Sequence, residues 1–255
     1  MHPMLNIAIR AARKAGSHLV KSIDKMDPEQ NSDAAVETVI REATALMTQI
    51  IHNAYPDHCV GSRGTELLSG YGHDVQWIIQ PLDGVKNYVK GLPHVAASIA
   101  IRINDKTELA CVYDPILNEL YTAQRGKGAQ RNNQRIRVSQ IKELHHAVLA
   151  LGDVFTTGQL PVEQRDTLDH LLTTCADFRR IGCTSLQLCY LASGRIDAVV
   201  DSGFRSFDLL AAELIAKEAG AIFTDMTGGM EYYKLRHVMA ANSGCIKYML
   251  QKPKV

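Results

Sequence analysis

The apolar rhythm of this chain changes once, near residues 140–147, and that change restricts the fold more than any other feature. Before it, two helices are followed by a run of strands. Residues 4–22 place Leu5, Ile9, Ala12 and Leu19 at helical spacing, and Pro3 suits a helix start. The polar stretch 23–33 is a loop in which Asn31, Ser32 and Asp33 offer N-caps. A second helix then carries Val36, Val39, Ile40, Ala43, Met47, Ile50 and Ile51 on one face, and Tyr55-Pro56-Asp57 ends it. Val75–Ile79 is a short strand. In Ala96–Asn104, Ser98, Ala100 and Arg102 alternate with Ile99, Ile101 and Ile103. A hairpin turn at Asn104-Asp105-Lys106 returns the chain through Thr107–Tyr113, and Glu119–Ala123 and Gln134–Val138 read as two more strands. After the change, strand-like segments (Val148–Leu151, Ile196–Val200, Ala221–Phe223, Val238–Ala240) alternate with helical ones (Val162–Thr174, Thr184–Ala192, Leu209–Ala219, Cys245–Leu250), an α/β pattern. The expected division is an α+β part over residues 1–145 and an α/β part over 146–255.

A length of 255 residues suits one large domain or two modest ones sharing an interface, and 46% apolar residues suffice for an ordinary core. The formal net charge of +1 gives no strong direct signal for nucleic acid. The six cysteines form no CxxC pair and no zinc-type spacing, so they read as free thiols in a reducing compartment. The amphipathic N-terminus lacks the apolar run of a signal peptide, and no window is apolar enough to span a membrane. The expected location is the cytoplasm.

Two acids stand where a strand meets a helix. Asp83-Gly84 follows a strand and Pro81-Leu82, and Asp208 opens a helix within the segment 203–213. A carboxylate beside free helix N–H groups can hold a divalent cation next to a phosphate. Taken alone, each more often marks a capped turn or an N-cap.

Taken together, several separated segments resemble the inositol monophosphatase family. Trp77-Ile78-Ile79-Gln80-Pro81-Leu82-Asp83-Gly84 is similar to the family's W-(I/V)-(I/V)-D-P-L-D-G-T. Phe207-Asp208, Glu213 and Glu218-Ala219-Gly220 are similar to its W-D-x-A-A-x-E…E-A-G-G. Leu92-Pro93-His94, Tyr113-Asp114-Pro115, Arg125–Ala129 and Ala176–Arg180 fit as well. The resemblance runs almost end to end and implies a layered αβαβα sandwich.

It also implies an activity, hydrolysis of inositol and sugar phosphate monoesters by clustered Mg²⁺. Position by position, however, most of the machinery is replaced. The family's Glu-Glu pair falls on Arg63-Gly64, its metal-bridging Asp on Gln80, its water-orienting Thr on Val85, and an early Asp on Ile40. Asp83 and Asp208 remain as residual metal ligands, and Asp201 matches an acid that contacts inositol hydroxyls in relatives. No intact catalytic set and no cofactor at physiological affinity are therefore expected, with Mg²⁺ required if the phosphatase alternative holds. A second alternative is metal-free binding of a phosphorylated small molecule by Arg63 and by Gly84, Val85 and Lys86. Arg63 or Lys86 is expected to pair with Asp83 or Asp208 in place of the lost cation.

The N-terminal segment 1–16 and the segment 176–182 resemble a bacterial branch of the family that joins the Nus-factor antitermination complex on RNA polymerase. That branch implies RNA polymerase and Nus factors as partners, and a homodimer with Arg179 and Arg180 in the contact segment.

Overall fold

The computed structural model describes residues 2–23, 33–62, 74–152, 162–204 and 206–251. Helices α1 (Pro3–Ile23) and α2 (Asp33–Ala54) pack together as an outer layer. Leu5, Ala8, Ala12 and Leu19 on α1 and Val36, Ala43, Met47 and Ile51 on α2 are buried at the spacing that puts them on one helical face. The expected caps Asn31 and Ser32, and the side chain of Asp33, lie outside the described residues.

Beneath them runs a seven-stranded sheet in chain order: β1 (Cys59–Gly61), β2 (Val75–Asp83), β3 (Ala96–Ile103), β4 (Lys106–Asp114), β5 (Glu119–Gln124), β6 (Gly128–Arg131) and β7 (Gln134–Arg135). The first pair is parallel and the rest antiparallel. Hairpins turn at Asn104-Asp105 and Asn132-Asn133, where φ is 50° and 64°, then 47° and 65°. Asparagine and aspartate tolerate this left-handed region best among residues other than glycine. β2 outruns its expected end at Ile79. It passes through Pro81, which has no N–H to donate, and its register with β3 shifts between Gln80 and Asp83. A short helix, α3 (Val85–Val89), follows.

Two sequence expectations fail at the far edge of this sheet. β6 falls where only turn signals are expected, and the strand expected over 134–138 pairs only at Gln134–Arg135. Ile136 and Val138 are buried instead in the core between the two sheets, and the Val138 N–H donates to the Ala219 carbonyl.

The second sheet has the order β11-β12-β10-β8-β9, from β8 (Val148–Leu151), β9 (Asp177–Arg179), β10 (Ala198–Ser202), β11 (Ile222–Thr224) and β12 (His237–Ala241). β8 is parallel to both β9 and β10, and β12 is antiparallel to its neighbours. Helices α4 (Val162–Thr174), α5 (Thr184–Ala192), α6 (Ser206–Glu218), α7 (Tyr232–Leu235) and α8 (Ser243–Met249) complete the chain.

The buried residues sort into three cores that define the layers. α1 and α2 cover one face of the first sheet through Trp77, Ile79, Ile99 and Ile101. α5 and α6 lie between the sheets, touching Ile78, Ala100 and Val112 on one side and Ala150, Val199 and Ala240 on the other. α4 and α8 cover the outer face of the second sheet at Leu149, Leu151, Val200 and Met239. This is the αβαβα sandwich expected from the sequence. Because each sheet buries both faces, its central strands read as near-continuous apolar runs rather than a strict alternation.

Candidate functional site

A cavity of about 740 Å³ opens where β2, β8 and β10 end and α5 and α6 begin. Its walls include Gln80, Asp83, Gly84, Val85 and Lys86 from the first sheet's side and Asp201 and Asp208 from the other. Residues far apart in sequence thus line one cavity.

Their hydrogen bonds show how each acid is used. Asp83 Oδ1 accepts from the Gly84 N–H at 2.8 Å and Oδ2 from the Ser185 N–H at 2.7 Å. The N-cap residue of α5 is Cys183, whose side chain makes no capping bond. Asp83 reaches over from β2 and supplies the missing acceptor, placing a carboxylate at the positive end of that helix. Gly84 adopts φ 83°, and a Cβ there would stand 2.5 Å from the His94 carbonyl oxygen, so the turn after Asp83 needs glycine.

Asp201 is almost wholly buried. It accepts from the Ser202 N–H at 2.7 Å and from the Thr184 hydroxyl at 2.9 Å. Its carboxyl group rests against Gly152, where an added Cβ would fall 1.9 Å from Cγ. The Gln80 amide donates to Asp208 Oδ1 at 3.0 Å. The opposite amide orientation would set two oxygens against each other, so Asp208 fixes the side chain, and the buried Gln80 Oε1 has no hydrogen-bond partner. Gln187 Oε1, on the cavity wall from α5, is likewise buried without one.

The expected stand-in cation is corrected in part. Lys86 is exposed and forms no ion pair with Asp83 or Asp208 among the described residues; Asp208 accepts a hydrogen bond from the neutral Gln80 amide. Arg63 and Gly64 lie outside the described residues. Ile40 is not on the cavity wall but packs against the α1–α2 core, and Val85 packs against that core from the cavity side. Asp83, Asp201 and Asp208 do not bring oxygens together as a group within 4.8 Å of one another; among the described residues such a group forms only at Glu143, His145 and His146.

The remaining acids of the resemblance serve structure. Glu218 accepts from the N–H groups of Gly126 and Gly128 at 2.8 and 2.7 Å, fastening the β5–β6 turn to α6. Glu213 accepts from the Tyr232 hydroxyl at 2.6 Å and from that of Tyr233. Burial first, and then the Glu213 charge, push both phenols above their ordinary range.

Arg179 and Arg180 diverge. Arg179 lies exposed on β9, the edge of the second sheet, with its guanidinium 2.6 Å from Asp177 and the exposed Phe178 ring between them in sequence. Arg180 lines the cavity. The next two residues, Ile181 and Gly182, also line it, and the Ile181 carbonyl is held by Asn87 Nδ2 at 2.8 Å. Thr184, Gln187 and Gly152 were missed by sequence reasoning. A threonine at a helix start and a glycine after a strand carry no local sign that they flank Asp201.

Comparison with known proteins gives one consistent result. Residues 1–252 match the inositol monophosphatase family. The protein named Nus factor SuhB from Vibrio cholerae is 49% identical over 255 residues, covering 98% of this chain and 96% of the relative. Its namesake from Escherichia coli is 43% identical over 254 residues, with 98% and 95% covered. Among solved structures, extragenic suppressor protein suhB from Bartonella henselae superposes with a TM-score of 0.86 at 28% identity, covering 99% of this chain and 100% of that one. Inositol monophosphatase from Anabaena gives a TM-score of 0.84 at 27% identity, with 97% and 93% covered.

Proposed function

The chain belongs to the inositol monophosphatase family, and from that premise we propose that it acts as a SuhB-type Nus factor, through protein contacts with RNA polymerase and Nus factors, and no longer as a magnesium-dependent phosphatase. The observation that carries this reading is the Gln80–Asp208 hydrogen bond. Where the family places a carboxylate that bridges metals, this chain has an amide whose N–H₂ group already neutralises part of the demand of Asp208. Asp83 has both oxygens engaged by backbone N–H groups. Mg²⁺ requires near-octahedral oxygen ligands and gives up its waters reluctantly. Two carboxylates, one already accepting a backbone N–H on each oxygen and one hydrogen-bonded to an amide, supply too few anionic oxygens for a multi-magnesium centre. Each missing carboxylate charge at ~4 Å removes attraction of about 4 kcal/mol per unit charge at an effective dielectric near 20.

Partner contact has a natural place at β9. Among the described residues it is the edge strand of its sheet, bearing exposed Phe178 and Arg179. Such an edge suits a second copy of the chain or another partner, and a homodimer through this segment forms part of the proposal. The names of the relatives support the Nus-factor assignment; the fold alone would not. A cytoplasmic location belongs to the same reading.

A second reading draws support from the cavity itself, which persists with Lys86 and Arg180 on its walls. These cations suit metal-free binding of a phosphorylated polyol.

One set of measurements separates the readings. Calorimetric titration with Mg²⁺ and an inositol 1-phosphate hydrolysis assay are expected to show neither millimolar binding nor turnover, while purified RNA polymerase with NusA retains the protein. Saturable Mg²⁺ binding with turnover overturns the proposal in favour of a phosphatase. Binding of inositol 1-phosphate in EDTA, without retention by polymerase and NusA, favours the metal-free binder.

A further inference from the structure

His145 and His146 sit on a 3-10 turn, Leu144–His146, between β7 and β8, and Glu143 is the residue that caps its start. They share no residue with the cavity. One ligand atom from each lies within 4.8 Å of the other two. The imidazole rings stand 4.0 Å apart between centroids, inclined at 49°, and His145 Nε2 is 3.3 Å from Glu143 Oε2. Consecutive side chains on a 3-10 turn ordinarily point about a third of a turn apart, so this convergence is a property of the three side chains together.

From this geometry we infer a surface site for a borderline divalent transition ion, of the zinc or nickel class, held by two imidazoles and one carboxylate. The turn beneath the ligands is fixed. Leu144 is buried in the core with α4 and α8, Ala147 is fully buried, and their backbone closes with Ala147 N–H to the Leu144 carbonyl at 2.8 Å. The ligands are therefore presented from a rigid base while their tips remain free to adjust. Around tetrahedral zinc, bonds of about 2.0–2.1 Å set ligand atoms about 3.3 Å apart. Side chains already within 4.8 Å reach that spacing by small rotations that exposed groups make at little cost. Neutral imidazole with carboxylate suits zinc, nickel and copper and is a poor match for Mg²⁺, which prefers an all-oxygen shell. Three protein ligands leave a coordination position for water, or for a side chain of a bound partner.

The test is calorimetric titration of the full chain with ZnCl₂, beside MgCl₂, and the same titration of His145→Ala, His146→Ala and Glu143→Gln. The wild type is expected to bind one zinc per chain and to ignore Mg²⁺ at this site. Each histidine variant is expected to weaken zinc binding by at least about tenfold, since even loss of an outer-shell partner costs about 10–100-fold. Because the chain has six cysteines, the Co²⁺-loaded spectrum is read as well, and it should show nitrogen and oxygen ligation without thiolate charge-transfer bands. Zinc binding unchanged in the double variant His145→Ala/His146→Ala, a thiolate spectrum, or no saturable uptake by the wild type each overturns the site. None of these outcomes bears on the phosphatase or Nus-factor reading, which concern other residues and another metal.

Discussion

The carboxylate of Asp83 accepts a 2.7 Å hydrogen bond from the backbone N–H of Ser185, 102 positions further along the chain. A residue that the family pattern marks as a metal ligand is here the cap of α5, joining the end of β2 to the layer between the sheets. The sign of a stability change distinguishes the two roles. Clustered acids of a working metal site repel one another without metal, so removing one tends to stabilise the metal-free protein. A cap lost from a helix start costs about 0.5–2 kcal/mol. Asp83→Ala is expected to lower stability in EDTA by about that amount in urea unfolding, and an unchanged or raised midpoint would refute the capping role.

Gln80→Asp should undo what the amide achieves. It sets two carboxylates where Gln80 Nε2 and Asp208 Oδ1 now stand 3.0 Å apart. Repulsion between unit charges at such a site approaches about 4 kcal/mol at 4 Å and an effective dielectric near 20, and one acid relieves it by taking up a proton. The expected outcome is a lower melting temperature in EDTA and a rise on adding millimolar Mg²⁺, while the wild type shows no such rise. A differential scanning measurement in both buffers reads this. A variant as stable as wild type in EDTA would show that Asp208 does not depend on a donor at position 80.

These two residues also mark how far the sequence could be read. The segments Val148–Leu151, Val162–Thr174 and Thr184–Ala192 were expected at the bounds observed, because their apolar spacing and flanking breakers are local signals. β6 was not legible: it is four residues long and buries only Ala129, so its identity comes from pairing with β5. Ile136 and Val138 alternate like a strand, yet what recruits them is the core between the sheets and the Ala219 carbonyl, a tertiary choice. At the site, motif comparison singled out Asp83, Asp201 and Asp208, which line one cavity. It could not show that Asp83 caps α5, since the sole local hint is that Cys183 is a poor N-cap. Nor could it show that Asp208 takes its donor from an amide while Lys86 stays exposed.

Gly152 is where the cavity wall tolerates least. A Cβ there falls within 2.3 Å of all three carboxyl atoms of Asp201, which is buried and bonded to Thr184. Gly152→Ala must push the carboxylate aside. Overpacking of this kind costs about 1–3 kcal/mol, and breaking a hydrogen bond to a charged group adds about 1.5–3 kcal/mol. Chemical denaturation is expected to show a loss in that combined range. The conservative variant Thr184→Ser, which keeps the hydroxyl, should lose far less. Near-wild-type stability of Gly152→Ala would mean that Asp201 is not fixed by this contact.

The last prediction concerns pH and rests on His58. Its ring stacks on Tyr55, with centroids 4.7 Å apart and planes inclined at 6°, and its Nδ1 accepts the Trp77 indole N–H at 3.0 Å. That bond needs a lone pair on Nδ1, so the proton of the neutral ring is on Nε2. Burial holds the His58 pKa below its ordinary 6.5, with the Asp57 charge opposing more weakly. Well above pH 6.5 both folded and unfolded states are neutral at this residue and its contribution to stability is complete. As pH falls below 6.5 the unfolded chain takes up the proton first, so stability drops until the folded-state pKa is passed. His237, lowered by burial and then by Arg236, adds to the loss in the same direction. Trp77 is the chain's one tryptophan and is fully buried, so its fluorescence isolates the His58 step. The wild-type emission should titrate with a midpoint below 6.5. His58→Phe should abolish that step and flatten part of the stability loss, while its orphaned indole N–H costs about 1–3 kcal/mol at neutral pH. A midpoint at or above 6.5, or a step that survives in the variant, would show that Trp77 senses some other group.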